Sequence, residues 1–254
     1  MTQRRLQGIF SILPTPFTGE DERVDLDGLR RVIDLIIDEG VHGVALLGVA
    51  SEVYKVTDDE RRQMIEATIE QTAGRVPVIV NITRHATAAA VQDARDAEAS
   101  GADAIMIVPP SFIPPSHEQV VKHVEAVADS VSLPIIIQYA PNVTGAPIAT
   151  ETFLEIGRKH GKPMYVKAES VPPGGLVSSL IEQSDGQIGI FMGNGCVQMY
   201  DAMERGARGM MPGASMVRPY LEIYEDYMAG NKVRAFERFN SLMPVLNLIA
   251  QSAE

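Results

Sequence analysis

Pro163-Met164-Tyr165-Val166-Lys167-Ala168-Glu169, with a turn at Pro172-Pro173-Gly174-Gly175 just behind it, decides how this chain is read. The first part is a short apolar strand carrying a lysine at its end. The apolar stretch after the turn, 174–183, has helical spacing. Burial disfavours the charged form of any amine, and the neutral amine is a nucleophile. A lysine at a strand end also has a plain alternative, with its stem along the strand and its head in water. Both readings stay open until the unit is placed among its neighbours.

The same strand-turn-helix unit recurs outward in both directions. Before it, strands are predicted over 8–13, 43–48, 77–81, 104–108 and 134–139. Helices are predicted over 25–39, 57–73, 86–99, 117–129 and 150–159. After it come strands at 187–192 and 208–211 and helices at 195–205 and 217–228. In the first helix Leu26, Leu29, Val32, Ile33, Ile36 and Ile37 recur at helical spacing before Gly40. Thr57-Asp58-Asp59-Glu60 reads as a capping box opening the second. The strands are unbroken apolar runs, as in a parallel sheet buried on both faces. Eight such units without a break in composition predict a closed (β/α)8 TIM barrel over 1–229. An open doubly wound sheet is the rival, and no dinucleotide fingerprint follows the first strand. Val233, Phe236, Phe239, Leu242, Met243, Leu246 and Ile249 then mark the start of a partial C-terminal helical region over 230–254.

Composition narrows the function. Lys plus Arg is 22 against 33 Asp plus Glu in 254 residues, a net charge of −11. That balance argues against nucleic acid or an anionic membrane as partner. The single cysteine, Cys196, excludes an intramolecular disulfide framework and a multi-cysteine zinc site, and the five histidines show no ligand spacing. No metal is expected. The first residues lack an apolar leader and no apolar run is long enough for a membrane span, so a cytoplasmic enzyme is the expectation.

In such a barrel the reacting groups lie at the C-terminal ends of the strands and in the loops behind them. Those positions include Thr15, Ala50, Ser51, Glu52, Asn81, Thr83, Gln138, Tyr139, Lys167, Glu169, Gly193, Asn194 and Met211. Among them Lys167 is the one covalent nucleophile suited to a carbonyl. Cys196 at a helix start reads as a small buried residue more than a thiolate. Gly193 and Gly195 suit either a close approach to substrate or a tight turn. Tyr220, Tyr224 and Tyr227 read as packing residues with a possible subunit contact, and His117 as solvated.

Gly8-Ile9-Phe10 through Thr15-Pro16-Phe17, Gly48-Val49-Ala50-Ser51-Glu52, Gly74-Arg75-Val76-Pro77, Leu133-Pro134-Ile135-Ile136-Ile137, Pro141-Asn142-Val143-Thr144-Gly145 and Val166-Lys167 together resemble the dihydrodipicolinate synthase / N-acetylneuraminate lyase family. The resemblance runs from Gly8 to about Ile249. It implies a TIM barrel, a lysine Schiff base with a small-molecule 2-oxo acid, usually a homotetramer, and no metal or organic cofactor. The departures bear on substrate. The family's G-T-T-G-E carboxylate loop reads Gly48-Val49-Ala50-Ser51-Glu52, leaving backbone N–H groups and the Ser51 hydroxyl to hold a carboxylate. The family's proton-shuttling tyrosine falls on Gln138, an amide that cannot exchange protons as a phenol does. Tyr139 is adjacent, but strand alternation points it the other way unless the strand end twists. The synthases' arginine falls on Val143 and their second-site tyrosine on Phe112.

The pattern is similar to the family's 2-keto-3-deoxy sugar-acid dehydratases, notably the L-2-keto-3-deoxyarabonate type. Lys167 is then the nucleophile, Glu52 or Glu169 the acid/base, and Gln138 an orienting group. Ala50, Ser51, Tyr139, Glu169, Gly193, Asn194 and Met211 are the expected substrate contacts. Structural alternatives are a capping or pairing role for Glu52 and a solvated loop charge for Glu169. Rival functions are a pyruvate-releasing aldolase, dihydrodipicolinate synthase itself, and a silent barrel that senses a 2-oxo acid.

Overall fold

The computed structural model describes residues 5–19, 21–113 and 115–249. The expectations for residues 1–4 and 250–254 therefore lie outside the described residues. In order, the first half comprises β1 (Gly8–Ile12), α1 (Leu26–Asp38), β2 (Gly43–Leu46), α2 (Asp58–Thr72), β3 (Val78–Asn81), α3 (Thr87–Ser100), β4 (Ala104–Ile107) and α4 (His117–Ser130). The second half comprises β5 (Ile135–Tyr139), the single turn α5 (Pro141–Thr144), α6 (Thr150–His160), β6 (Met164–Ala168), α7 (Gly174–Gln183), β7 (Ile188–Met192), α8 (Met199–Glu204), β8 (Gly209–Met210), α9 (Val217–Met228) and α10 (Lys232–Ile249). The strands form a closed parallel barrel in chain order, sealed where Gly8 and Ile9 pair with Gly209 and Met210. The chain is thus a TIM barrel followed by a C-terminal helix.

Local chemistry explains the helix starts. Asp25 caps α1 by accepting from the Gly28 N–H at 2.9 Å. Thr57 and Glu60 close a capping box on α2, and Glu60 also accepts from the Val24 N–H at 3.1 Å. Ser116 and Gln119 do the same for α4. One predicted helix is cut short. The stretch 195–205 yields only α8, because Asn194, Gly195 and Cys196 all take positive φ and form a 3-10 turn instead.

Strand alternation sends every second residue into the barrel. There they stack in layers drawn from alternate strands. Phe10, Ile79, Ile136 and Phe191 come from odd strands. Ala45, Met106, Lys167 and Met211 come from even strands, one level nearer the C-terminal mouth. Above these, two residues beyond the first set, lie Ile12, Asn81, Gln138 and Gly193. The lower even-strand layer alternates size: Gly43 and Gly209 leave room for the rings of Phe10 and Phe191, and Tyr165 fills the remainder. A Cβ on Gly43 would stand 2.1 Å from Phe10 Cε1. Gly43→Ala is therefore expected to destabilise the barrel by about 3 kcal/mol through overpacking. Urea unfolding checks this, and adding Phe10→Leu should recover much of the loss if that ring is the cause.

α10 is tied to α9 by Arg234 and Arg238, whose Nε atoms lie 3.2 and 2.8 Å from the Asp226 carboxylate. Among the described residues no helix is long and apolar enough to cross a membrane. His117, read as solvated, instead bridges α4 to α6, contacting Thr152 Oγ1 at 2.7 Å and Glu155 Oε2 at 3.0 Å. Tyr220 and Tyr224 pack inside the subunit, with the Tyr220 hydroxyl donating to the Gly195 carbonyl at 2.7 Å.

Candidate active site

β6 carries Lys167 to the mouth of the barrel. Tyr165 faces the interior, so Lys167 two residues on faces it too, and Glu169 follows on the same side. The lysine side chain is only 6% exposed and Glu169 only 13%, with Nζ 3.1 Å from Oε1. Neither is the solvated surface charge that each could have been from sequence alone.

Two further groups hold that carboxylate. The Asn194 N–H donates to Oε1 at 3.0 Å, and Gln138 Nε2 donates to Oε2 at 2.6 Å. Gln138 pairs in register with Lys167 across β5 and β6, which places the amide and the amine side by side. Gly193 supplies room: a Cβ there would lie 2.3 Å from Glu169 Oε1. Burial alone pushes the Glu169 carboxyl up. The nearby Lys167 charge and the Asn194, Gln138 and Lys167 hydrogen bonds outweigh it and hold the group below the usual carboxylate range. The site is thus a buried amine with a pre-ionised base in contact.

The other sequence candidates separate. Glu52 does not join the lysine. It sits at φ 54 between two 3-10 turns, and this left-handed backbone turns its carboxylate to a surface pair with Lys55. Its ion-pair partner is Lys55, not Lys167. Ser51 is fully buried, donating to the Leu13 carbonyl at 2.6 Å and accepting from the Gly48 N–H at 3.2 Å. Its hydroxyl braces the loop, with Thr15 Oγ1 donating to the Ser51 carbonyl at 2.5 Å. The start of this 3-10 turn is exposed at Val49 and Ala50, whose N–H groups belong to the part of a turn that lacks internal partners. Tyr139 points into the helix layer, edge-on to Phe153 at 5.4 Å, and its hydroxyl accepts from the Ile148 N–H at 3.4 Å. The strand end does not twist it back to Lys167. Gly193 and Asn194 are brought together with Lys167, engaged with Glu169. Met211 lines the barrel in the lysine's own layer. Cys196 is buried, and burial pushes its thiol up to about 12.

Sequence reasoning gave no role to Asn81, which lies at the same level as Gln138. The available signal was its spacing of two from the inward-facing Ile79.

A parallel eight-stranded barrel thus carries a buried amine at the mouth end of its sixth strand, against a carboxylate. The sequence pattern of the Dihydrodipicolinate synthetase family matches residues 5–253, and the chain belongs to that family and is a lyase. It is 30% identical over 251 residues to L-2-keto-3-deoxyarabonate dehydratase of Azospirillum brasilense, covering 96% of this chain and 79% of that protein. It is 29% identical over 243 residues to 4-hydroxy-tetrahydrodipicolinate synthase of Methanopyrus kandleri, covering 95% and 80%. The crystal structure of dihydrodipicolinate synthase from Aquifex aeolicus superposes with a TM-score of 0.93 at 25% identity, covering 98% of this chain and 84% of that one.

Proposed function

We propose that this protein dehydrates a 2-keto-3-deoxy sugar acid through a Schiff base on Lys167. The observation that carries the reading is the Glu169 carboxylate 3.1 Å from the Lys167 amine, where the chain has glutamine at the position of the family's tyrosine. Dehydration needs a base for C3 of the imine. Aldol cleavage instead needs a group that removes the proton of the C4 hydroxyl, the role of the family's tyrosine, and Gln138 cannot take it.

The steps balance as follows. The Lys167 amine adds to the C2 carbonyl, and the carbinolamine loses water to give an iminium. Glu169 takes a proton from C3, leaving an enamine. The enamine pair expels the C4 hydroxyl, which leaves as water with the proton from Glu169. Hydrolysis of the unsaturated imine returns the free amine and releases the dehydrated 2-oxo acid. In this reading the N–H groups of the exposed residues Val49 and Ala50, in the turn after β2, hold the substrate carboxylate. Ser51 contributes by fixing that loop. The likeness to the Azospirillum dehydratase supports the same substrate class. Assembly as a homotetramer fits the apolar rim, where Phe112 is 87% and Val143 71% exposed.

Product analysis with 2-keto-3-deoxypentonate tests the reading. The expected result is loss of water without release of pyruvate. Appearance of pyruvate and an aldehyde would replace it with an aldolase. Turnover only when pyruvate is offered with an aldehyde acceptor would replace it with a synthase.

A further inference from the structure

We propose that Asn81 and Gln138 together read a substrate hydroxyl, the first one beyond C3, so that Asn81 is a specificity-determining residue of this site. The inference rests on the Schiff-base dehydratase reading above. Asn81 is 1% exposed and Gln138 2%, and both face the barrel interior in the layer just above Lys167. Each amide has one end fixed. Asn81 Oδ1 accepts from the Thr83 N–H at 2.8 Å and the Thr83 hydroxyl at 2.5 Å, and the Thr83 oxygen in turn accepts from the Val108 N–H at 2.9 Å. A backbone N–H can only donate, so the Asn81 amide cannot be turned round. Gln138 Nε2 is fixed in the same way by the Glu169 carboxylate at 2.6 Å.

The free ends are then determined. Asn81 Nδ2 is a buried donor without an acceptor, and Gln138 Oε1 is a buried acceptor without a donor. Buried polar atoms are seldom left without a partner. A donor and an acceptor orphaned at one level of one barrel are complementary to a group that accepts and donates at once. A hydroxyl does so, and neither a methylene nor a carboxylate can. The imine carbon sits on the lysine from the layer below, so the hydroxyl that reaches this level belongs to the sugar-acid chain. Gly193 completes the layer without a side chain, and the room it leaves is taken by the Glu169 carboxylate that fixes Gln138. Sites built to hydrogen-bond a hydroxyl discriminate strongly against analogues that lack it.

Asn81→Ser tests the proposal, because serine keeps an acceptor for the Thr83 N–H and loses the amide donor. Two readouts are compared with wild type: borohydride trapping of pyruvate and of 2-oxopentanoate, and turnover of 2-keto-3-deoxypentonate. The expected result is trapping of the two hydroxyl-free acids within about twofold of wild type, with kcat/KM on the sugar acid lowered roughly 10–100-fold. Equal losses on all three compounds would reduce Asn81 to a structural residue, and unchanged sugar-acid turnover would overturn its role. Should the serine variant fail to fold, Asn81→Asp decides. It keeps the oxygen that Thr83 needs and replaces the donor with an acceptor, and the same selective loss is expected. If wild-type enzyme forms no adduct or releases no water, the parent reading fails, a result separate from any effect at Asn81.

Discussion

Lys167→Ala is expected to abolish borohydride trapping of pyruvate and to lower turnover on the order of 10⁴–10⁶-fold, the scale seen when a covalent nucleophile is removed. The chain has six lysines. Lys55, Lys122, Lys159 and Lys232 pair with surface carboxylates, and Lys162 donates to the Ala128 and Val131 carbonyls. Lys167 alone lies inside the barrel. Mass analysis of the trapped wild-type protein should place the pyruvate mass on this residue, and an adduct persisting on another lysine in the variant would refute the assignment. The substitution also has a stability effect. It leaves the Glu169 carboxylate buried with the Asn194 N–H and Gln138 as its partners. Removing one member of a buried pair costs about 3–5 kcal/mol. Protonation of Glu169 limits the loss towards the lower figure, or a Tm lower by roughly 6–12 °C at 2–4 °C per kcal/mol. Lys167→Ala with Glu169→Gln should regain most of that stability while trapping nothing. This separates the chemical defect from the structural one.

The fold was legible because each strand is a continuous apolar run and each helix carries its own punctuation. Thr57 to Glu60 is the clearest case, since the capping box needs only local residues. The site was less legible, for reasons specific to each residue. Glu169 is two residues beyond Lys167 on an extended chain, so its inward face was readable from spacing. Its burial was not, because that depends on Gly193 from the next strand leaving room for it. The outward turn of Glu52 rests on a left-handed backbone that the string Gly48-Val49-Ala50-Ser51-Glu52 does not announce. Tyr139 obeyed simple alternation against Gln138. The short α8 traces to three successive positive φ values; Gly195 takes its value freely because it lacks a Cβ, and Cys196 does not favour its own. Local patterns placed the elements, while contacts between strands decided which carboxylate meets the amine.

Glu169→Gln is expected to lower dehydration turnover roughly 10²–10⁴-fold, the usual contribution of a positioned general base. The variant should fold well. The new amide oxygen can take the Oε1 position and still accept from Lys167 and the Asn194 N–H. Its NH2 then meets Gln138, whose Oε1 has no partner and can turn to receive it. The contacts to Lys167 and Asn194 are kept and the charge is lost. The turned Gln138 amide no longer offers its oxygen to a substrate hydroxyl, so hydroxyl-free pyruvate is the compound that isolates the base. The decisive measurement is exchange of pyruvate methyl protons in D2O, which isolates proton removal at C3 from every later step. Wild-type enzyme should exchange them, and the variant should form the borohydride-trapped adduct yet exchange at a strongly reduced rate. Exchange at the wild-type rate would transfer the role of base elsewhere. The pH dependence of stability carries a second signature. The folded carboxyl of Glu169 lies below its unfolded value of about 4.3. Its ionised form therefore contributes stability that is complete above that value and is lost as pH falls through the folded one. Urea unfolding of wild type and variant should accordingly converge as the pH is lowered below about 4 and diverge towards neutrality. The same negative charge is then used twice: it holds the lysine in a buried position, and it is the base that acts once the imine has formed.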